Sequence, residues 1–113
     1  MKTVTLAYIA LLALATPGIA QTFSEKTIAE AQRGTMVTLS GTVDRITDED
    51  EFRLRDATGT IEVDLGPNWM PADEGEQVTV QGFIDDDFGP KEIYARSLTR
   101  ADGTVITFKR GDD

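Results

Sequence analysis

The chain has 113 residues, with 20 acidic and 11 basic side chains, a formal charge of −9, and neither histidine nor cysteine. One ordinary domain fits this length, and a thiol nucleophile, a disulfide frame, an imidazole base and the usual zinc ligands are all excluded. The acidity argues against a general affinity for nucleic acid or anionic membrane, because both depend on Lys and Arg neutralising phosphate.

In chain order, Lys2 precedes an uncharged apolar run from Val4 to Ala15, and Thr16-Pro17-Gly18-Ile19-Ala20 adds a helix break and small residues. This pattern predicts a secretory signal peptide over 1–20, cut between Ala20 and Gln21. The apolar run falls short of the roughly 20 residues needed to cross a bilayer. No cysteine follows to carry a lipid, so no stable membrane anchor is expected. Losing the segment removes Lys2 and no acid, which takes the charge from −9 to −10. The expected product is secreted, into a periplasm, and monomeric.

Residues 21–35 form an N-terminal segment. Ser24 can cap a short helix there, Ile28, Ala29 and Ala31 give it an apolar stripe, and Gly34 stands where a C-cap glycine belongs. From Met36 the period changes to two, with Val37, Leu39, Gly41 and Val43 on one face of a first strand over about 36–46. Gly41 in its middle suits a sharp bend. After Asp48-Glu49-Asp50-Glu51, read as a loop, the runs 52–55 and 60–65 flank Asp56-Ala57-Thr58-Gly59 and predict a hairpin. Its register places Phe52 opposite Val63, Arg53 opposite Glu62, Leu54 opposite Ile61 and Arg55 opposite Thr60. One face is then apolar and the other pairs arginine with glutamate.

Pro67 and Pro71 make 66–75 a loop, with Trp69 and Met70 expected to plug an open end of the core. A strand over about 76–84 buries Val78, Val80, Gly82 and Ile84. Asp85-Asp86-Asp87-Phe88-Gly89-Pro90 is a second acidic loop. A strand over 91–100 turns at Asp102-Gly103 into a last strand, 104–108, before a polar tail, 109–113. The sum is an all-β domain over 36–108: a five-stranded Greek-key OB-type barrel with a short N-terminal helix and a C-terminal hairpin extension. The alternative, a β-sandwich, would need about seven strands.

Val37-x-Leu39-x-Gly41-x-Val43, Phe52-x-Leu54-Arg55-Asp56-Ala57-Thr58-Gly59-Thr60-Ile61-x-Val63, Trp69, Val78-x-Val80-x-Gly82-x-Ile84-Asp85 and Ile93 together resemble the bacterial OB-fold (BOF) family of small periplasmic stress-tolerance proteins, over roughly 28–98. The resemblance implies a secreted barrel that acts in tolerance to peroxide, metal, acid or cationic-agent stress without catalysis. It implies no catalytic residues. The acidic first loop and the segment after residue 98 depart from the family pattern.

Three site readings follow from the residues. First, Asp48, Glu49, Asp50, Glu51, Asp85, Asp86 and Asp87 rim the expected binding face, with Arg53 and Arg55 on it. They suggest attraction of a cation or a basic peptide, although neither run has the spacing of a calcium hand. Solvation of a small domain explains the same charges. Second, Phe83, Phe88 and Tyr94 fall off the core parity and suggest a contact patch for an envelope protein, unless the N-terminal helix or the C-terminal hairpin covers them. Third, single-stranded nucleic acid, the usual OB ligand, needs stacking aromatics and a basic groove, whereas the outward positions Thr38, Ser40, Thr42, Arg53, Arg55, Thr60, Glu62 and Asp64 hold no aromatic and both bounding loops are acidic. No catalysis, cofactor or metal site is expected: Ser24, Ser40 and Ser97 have no histidine to activate them.

Overall fold

A computed structural model describes residues 22–110. The predicted signal segment, its cleavage point and residues 111–113 lie outside the described residues. The strands are β1 (Ser24–Glu25), β2 (Met36–Asp48), β3 (Glu51–Asp56), β4 (Gly59–Asp64), β5 (Gln77–Ile84), β6 (Glu92–Thr99) and β7 (Val105–Thr107).

β2 closes the barrel because it serves two neighbours in succession. Its first half pairs antiparallel with β5, from Met36↔Phe83 to Thr42↔Gln77, and its second half pairs with β3, from Thr42↔Arg55 to Asp48↔Glu51. Thr42 belongs to both ladders. Gly41 sits at the crossing, where a Cβ would stand 2.3 Å from the Arg55 carbonyl oxygen, so only glycine lets the strands approach this closely. The hairpin register matches the sequence reading pair for pair. β4 then runs parallel to β6, and β6 antiparallel to β5, which completes the circuit β2-β3-β4-β6-β5-β2. This is the five-stranded OB-type barrel, with its circuit of strand pairings closed and β4 and β6 parting beyond Asp64.

Alternation fills the interior. Phe52, Leu54, Val63, Val80, Ile84, Ile93 and Leu98 are fully buried, and each such side chain stabilises the fold by about 1.5–3 kcal/mol relative to exposure. Two segments cover the ends. Leu65 and Ala72 are buried in the loop after β4, and Met70 packs against the core. Trp69 does not: it is 74% exposed, contrary to the sequence reading. Of the two adjacent large residues Met70 takes the inward place, its N–H tied to the Glu49 carbonyl.

The N-terminal helix is also absent. Ser24 and Glu25 form the short parallel strand β1 against Val37 and Thr38, and Thr27–Ala31 make a single turn. Thr27 and Glu30 cap that turn reciprocally, the Thr27 N–H donating to Glu30 Oε1 and the Glu30 N–H to Thr27 Oγ1. Ser24, expected to cap a helix, is instead a strand residue, and the cap that exists, Thr27 with Glu30, closes one turn only. The N–H groups of Ile28 and Ala29 donate instead to Asp56 Oδ2 and Thr58 Oγ1 of the β3–β4 turn. Ile28 and Ala31 close that end of the barrel.

The C-terminal extension completes β6. β4 accompanies β6 only from Glu92 to Tyr94, and β7 takes the Ser97–Thr99 edge. Between them, the Phe108 N–H donates to the Arg96 carbonyl, and Arg110 Nη1 to the Ala95 carbonyl.

Candidate functional site

The outer face of β3, β4 and β6 collects acids from three strands. Pairing places Glu51 opposite Asp64 and Glu62 opposite Glu92. Like charges directly across a ladder destabilise a sheet, so this face carries two unfavourable pairs side by side. Arg53 lies across from Glu62, with Nε 3.9 Å from Oε2, a distance at which partly exposed ions gain little. The Glu62 Oε1 atom is buried without a hydrogen-bond donor. Burial, followed by the charge of Glu51, pushes the Glu62 carboxyl above its ordinary value against the pull of Arg53. Burial raises Glu92 as well, reinforced by Asp64, Glu51, Asp85 and Glu62. The same field reaches Tyr94: burial raises its phenol, and Asp85, Glu92, Asp87 and Asp64 add to the effect.

The two acidic runs of the sequence divide between loops and strands. Asp48 and Glu51 are paired strand ends, which leaves Glu49 and Asp50 as the turn. That turn is held against the loop after β4, since the Glu49 and Asp50 carbonyls accept the N–H groups of Met70 and Leu65. In the second run Asp85 is buried, its N–H donates to the Glu92 carbonyl, and its Oδ1 accepts the Asp87 N–H. Carboxylate oxygens of Asp85, Asp86 and Asp87 lie within 4.8 Å of one another, with Asp86 and Asp87 exposed. Arg33 holds this loop through the Asp87 and Gly89 carbonyls. Glu92 feels Glu51 from the first run and Asp85 from the second, so parts of both act on one face.

Arg55 turns away from that face to β2, where its Nε donates to Asp44 at 3.0 Å. Among the aromatics, Phe83 and Tyr94 are half-buried register partners, while Phe88 stands fully in solvent on the second acidic loop. The C-terminal segment supplies cover: the Arg110 guanidinium lies over the Tyr94 ring, 5.4 Å from its centroid. Sequence reasoning missed Glu62, Asp64 and Glu92 as one group with Glu51. Outward parity on each strand was the available signal, but the β4–β6 pairing that joins them was not. A separate shallow cleft of about 450 Å³, lined by Lys26, Thr27, Thr38, Ser40 and Thr58 among others, opens between the N-terminal turn and β2. It contains none of the predicted site residues.

Residues 15–100 match the family model described as "Bacterial OB fold (BOF) protein". Among solved structures, the chain is similar to the hypothetical protein ygiW from E. coli, with 26% identity and a TM-score of 0.56, covering 76% of this chain and 100% of that one. It is similar also to a chain of the S. pombe Stn1-ten1 complex, with 16% identity and a TM-score of 0.59 over 78% and 85% of the two chains. A third likeness is to asparaginyl-tRNA synthetase from Pyrococcus horikoshii, with 18% identity and a TM-score of 0.55 over 79% of this chain and 24% of that one. The last two speak to the fold alone. No curated protein matches the sequence.

Proposed function

The chain belongs to the bacterial OB fold family, and from that premise we propose that it is a secreted, non-enzymatic binding protein of the bacterial envelope that contributes to stress tolerance by holding cationic ligands. The observation that carries the reading is the pair of like-charged couples Glu51↔Asp64 and Glu62↔Glu92 on the OB binding face. A cation between them relieves the repulsion that Arg53, near Glu62, and Arg110, on Asp64, leave uncompensated. The Asp85-Asp86-Asp87 loop adds charge at the rim, and attraction of this kind is long-ranged and salt-sensitive. The nucleic-acid reading has less support, because phosphate would meet those same carboxylates.

The test is titration of residues 21–113, which hold the whole barrel, with a short basic peptide and with single-stranded DNA, followed by NMR. Expected are shifts on β3, β4 and β6 with the peptide, weakened by salt and by E62Q or E92Q. Absence of peptide binding at low salt sinks the proposal, and retention of DNA would favour the rival.

A further inference from the structure

The acidic face already holds one cation of its own. β4 stops at Asp64 while β6 continues, and the fork between them exposes the carbonyls of Asp64 and Ala95. Arg110 fills it: Nη1 donates to the Asp64 carbonyl at 3.1 Å and to the Ala95 carbonyl at 3.2 Å, and Nη2 to Asp64 Oδ1 at 3.3 Å. The Tyr94 ring lies beneath the guanidinium. Gly66 leaves the room, since a Cβ there would sit 3.1 Å from Arg110 Nη1. Two carbonyls, a carboxylate and a ring face suit a planar group with several donors, which is the shape of guanidinium and not of a lysine ammonium.

We infer that Arg110 is an internal occupant of the binding face, and that the fork it fills takes an arginine of a basic peptide when residues 109–110 swing aside. The inference rests on the reading of the face as a cation-binding surface. Phe108 is buried and β7 is paired, so both can stay in place while Arg110 leaves the fork and the Lys109 carbonyl gives up the hydrogen bond it accepts from Asn68 Nδ2 at 2.9 Å. The repeat of the face also names the peptide. Asp64 and Glu62 are two residues apart on β4, and Tyr94 and Glu92 two apart on β6. An extended peptide presents alternate side chains at the same interval. An arginine in the fork therefore places the residue two positions along over Glu62 and Glu92, and the ligand is an extended Arg-x-Arg segment.

The experiment compares residues 21–113 with their R110A and K109A variants, measuring affinity for Arg-Ser-Arg-Ser-Arg and Lys-Ser-Lys-Ser-Lys peptides by calorimetry. Emptying the fork removes competition, so R110A should bind the arginine peptide about fivefold tighter or more, with a smaller gain for the lysine peptide. K109A removes the same charge outside the fork and should gain less. Equal gains for R110A and K109A, equal gains for both peptides, or no gain at all overturn the inference. If wild type binds and E62Q weakens it while R110A changes nothing, only the inference falls. If no variant binds either peptide, the reading of the face falls too. R110Q, which keeps the side-chain length, serves in place of R110A should the latter melt early.

Discussion

Arg100 grips Glu76 with two parallel hydrogen bonds, Nη2 to Oε1 at 2.8 Å and Nε to Oε2 at 3.0 Å. Such bidentate pairs are the strong form of the ion pair, and this one ties the entry of β5 to the exit of β6. The carboxylate also accepts the N–H groups of Asp73 and Ala101. The bonds from Arg100 first, and then the two amides, hold the Glu76 carboxyl at about 2, far below its ordinary 4.5. A carboxylate lowered on folding stabilises the native state above its unfolded value and loses that contribution as pH falls through the folded one. Thermal stability should therefore decline between pH 4.5 and about 2. E76Q should start lower and decline less steeply over that window. Parallel melting curves for the two proteins across the window would refute the assignment.

The opposite sign holds on the acidic face. Burial first, then neighbouring acids, raises Glu92, so the folded state takes up a proton more readily than the unfolded one, and the charged form costs stability. E92Q should raise stability at pH 7 by about 0.5–1 kcal/mol, the usual scale for relieving surface charge, while weakening the basic peptide. Denaturant unfolding measured beside peptide affinity checks both halves. A variant that is destabilised at neutral pH would contradict the repulsion.

Gly41 and Gly82 mark two close crossings of the barrel wall. A Cβ at Gly41 would stand 2.3 Å from the Arg55 carbonyl oxygen, and one at Gly82 the same distance from that of Tyr94. Backbone cannot yield as a flexible side chain would, so G41A and G82A should each lose about 3 kcal/mol. A urea midpoint within error of wild type for either would show that the barrel tolerates opening there.

Phe52 and Trp69 invert the rank that size alone suggests. F52A removes a fully buried ring and should cost about 3–5 kcal/mol. W69A removes a mostly exposed one and should stay within about 0.5 kcal/mol of wild type. Trp69 fluorescence should accordingly be that of an aqueous indole before unfolding. A strong red shift on denaturation would show the ring to be buried.

Much of the barrel is legible along the chain. Alternation from Met36 onward and the turn at Ala57-Thr58 act between residues close in sequence, so they specify the hairpin register and the inward set directly, and Gly41 marks a bend by its place inside a strand. Asp56 illustrates how a local signal gains a distant use. Its Oδ1 accepts the N–H groups of Thr58 and Gly59, as a turn aspartate does, while Oδ2 accepts the Ile28 N–H from a segment 28 residues away. That second bond belongs to the arrangement that leaves Thr27–Ala31 as one capped turn. A single turn is too short to sustain itself as a helix.

The sequence by itself determined the all-β class, the alternating core, the hairpin and an acidity that disfavours phosphate, because each depends on period, composition or near neighbours. Only the tertiary structure decided where the acids act. Glu62 meets Glu92 across 30 residues of chain, and Arg110 reaches Asp64 across 46. Both contacts exist because β4 and β6 run side by side and then part. Parallel pairing of that kind leaves no periodic trace in either strand, since its register is set by closure of the barrel. The excess charge therefore lies partly in the rim loops, as the sequence suggests, and partly on the face that β4 and β6 build together.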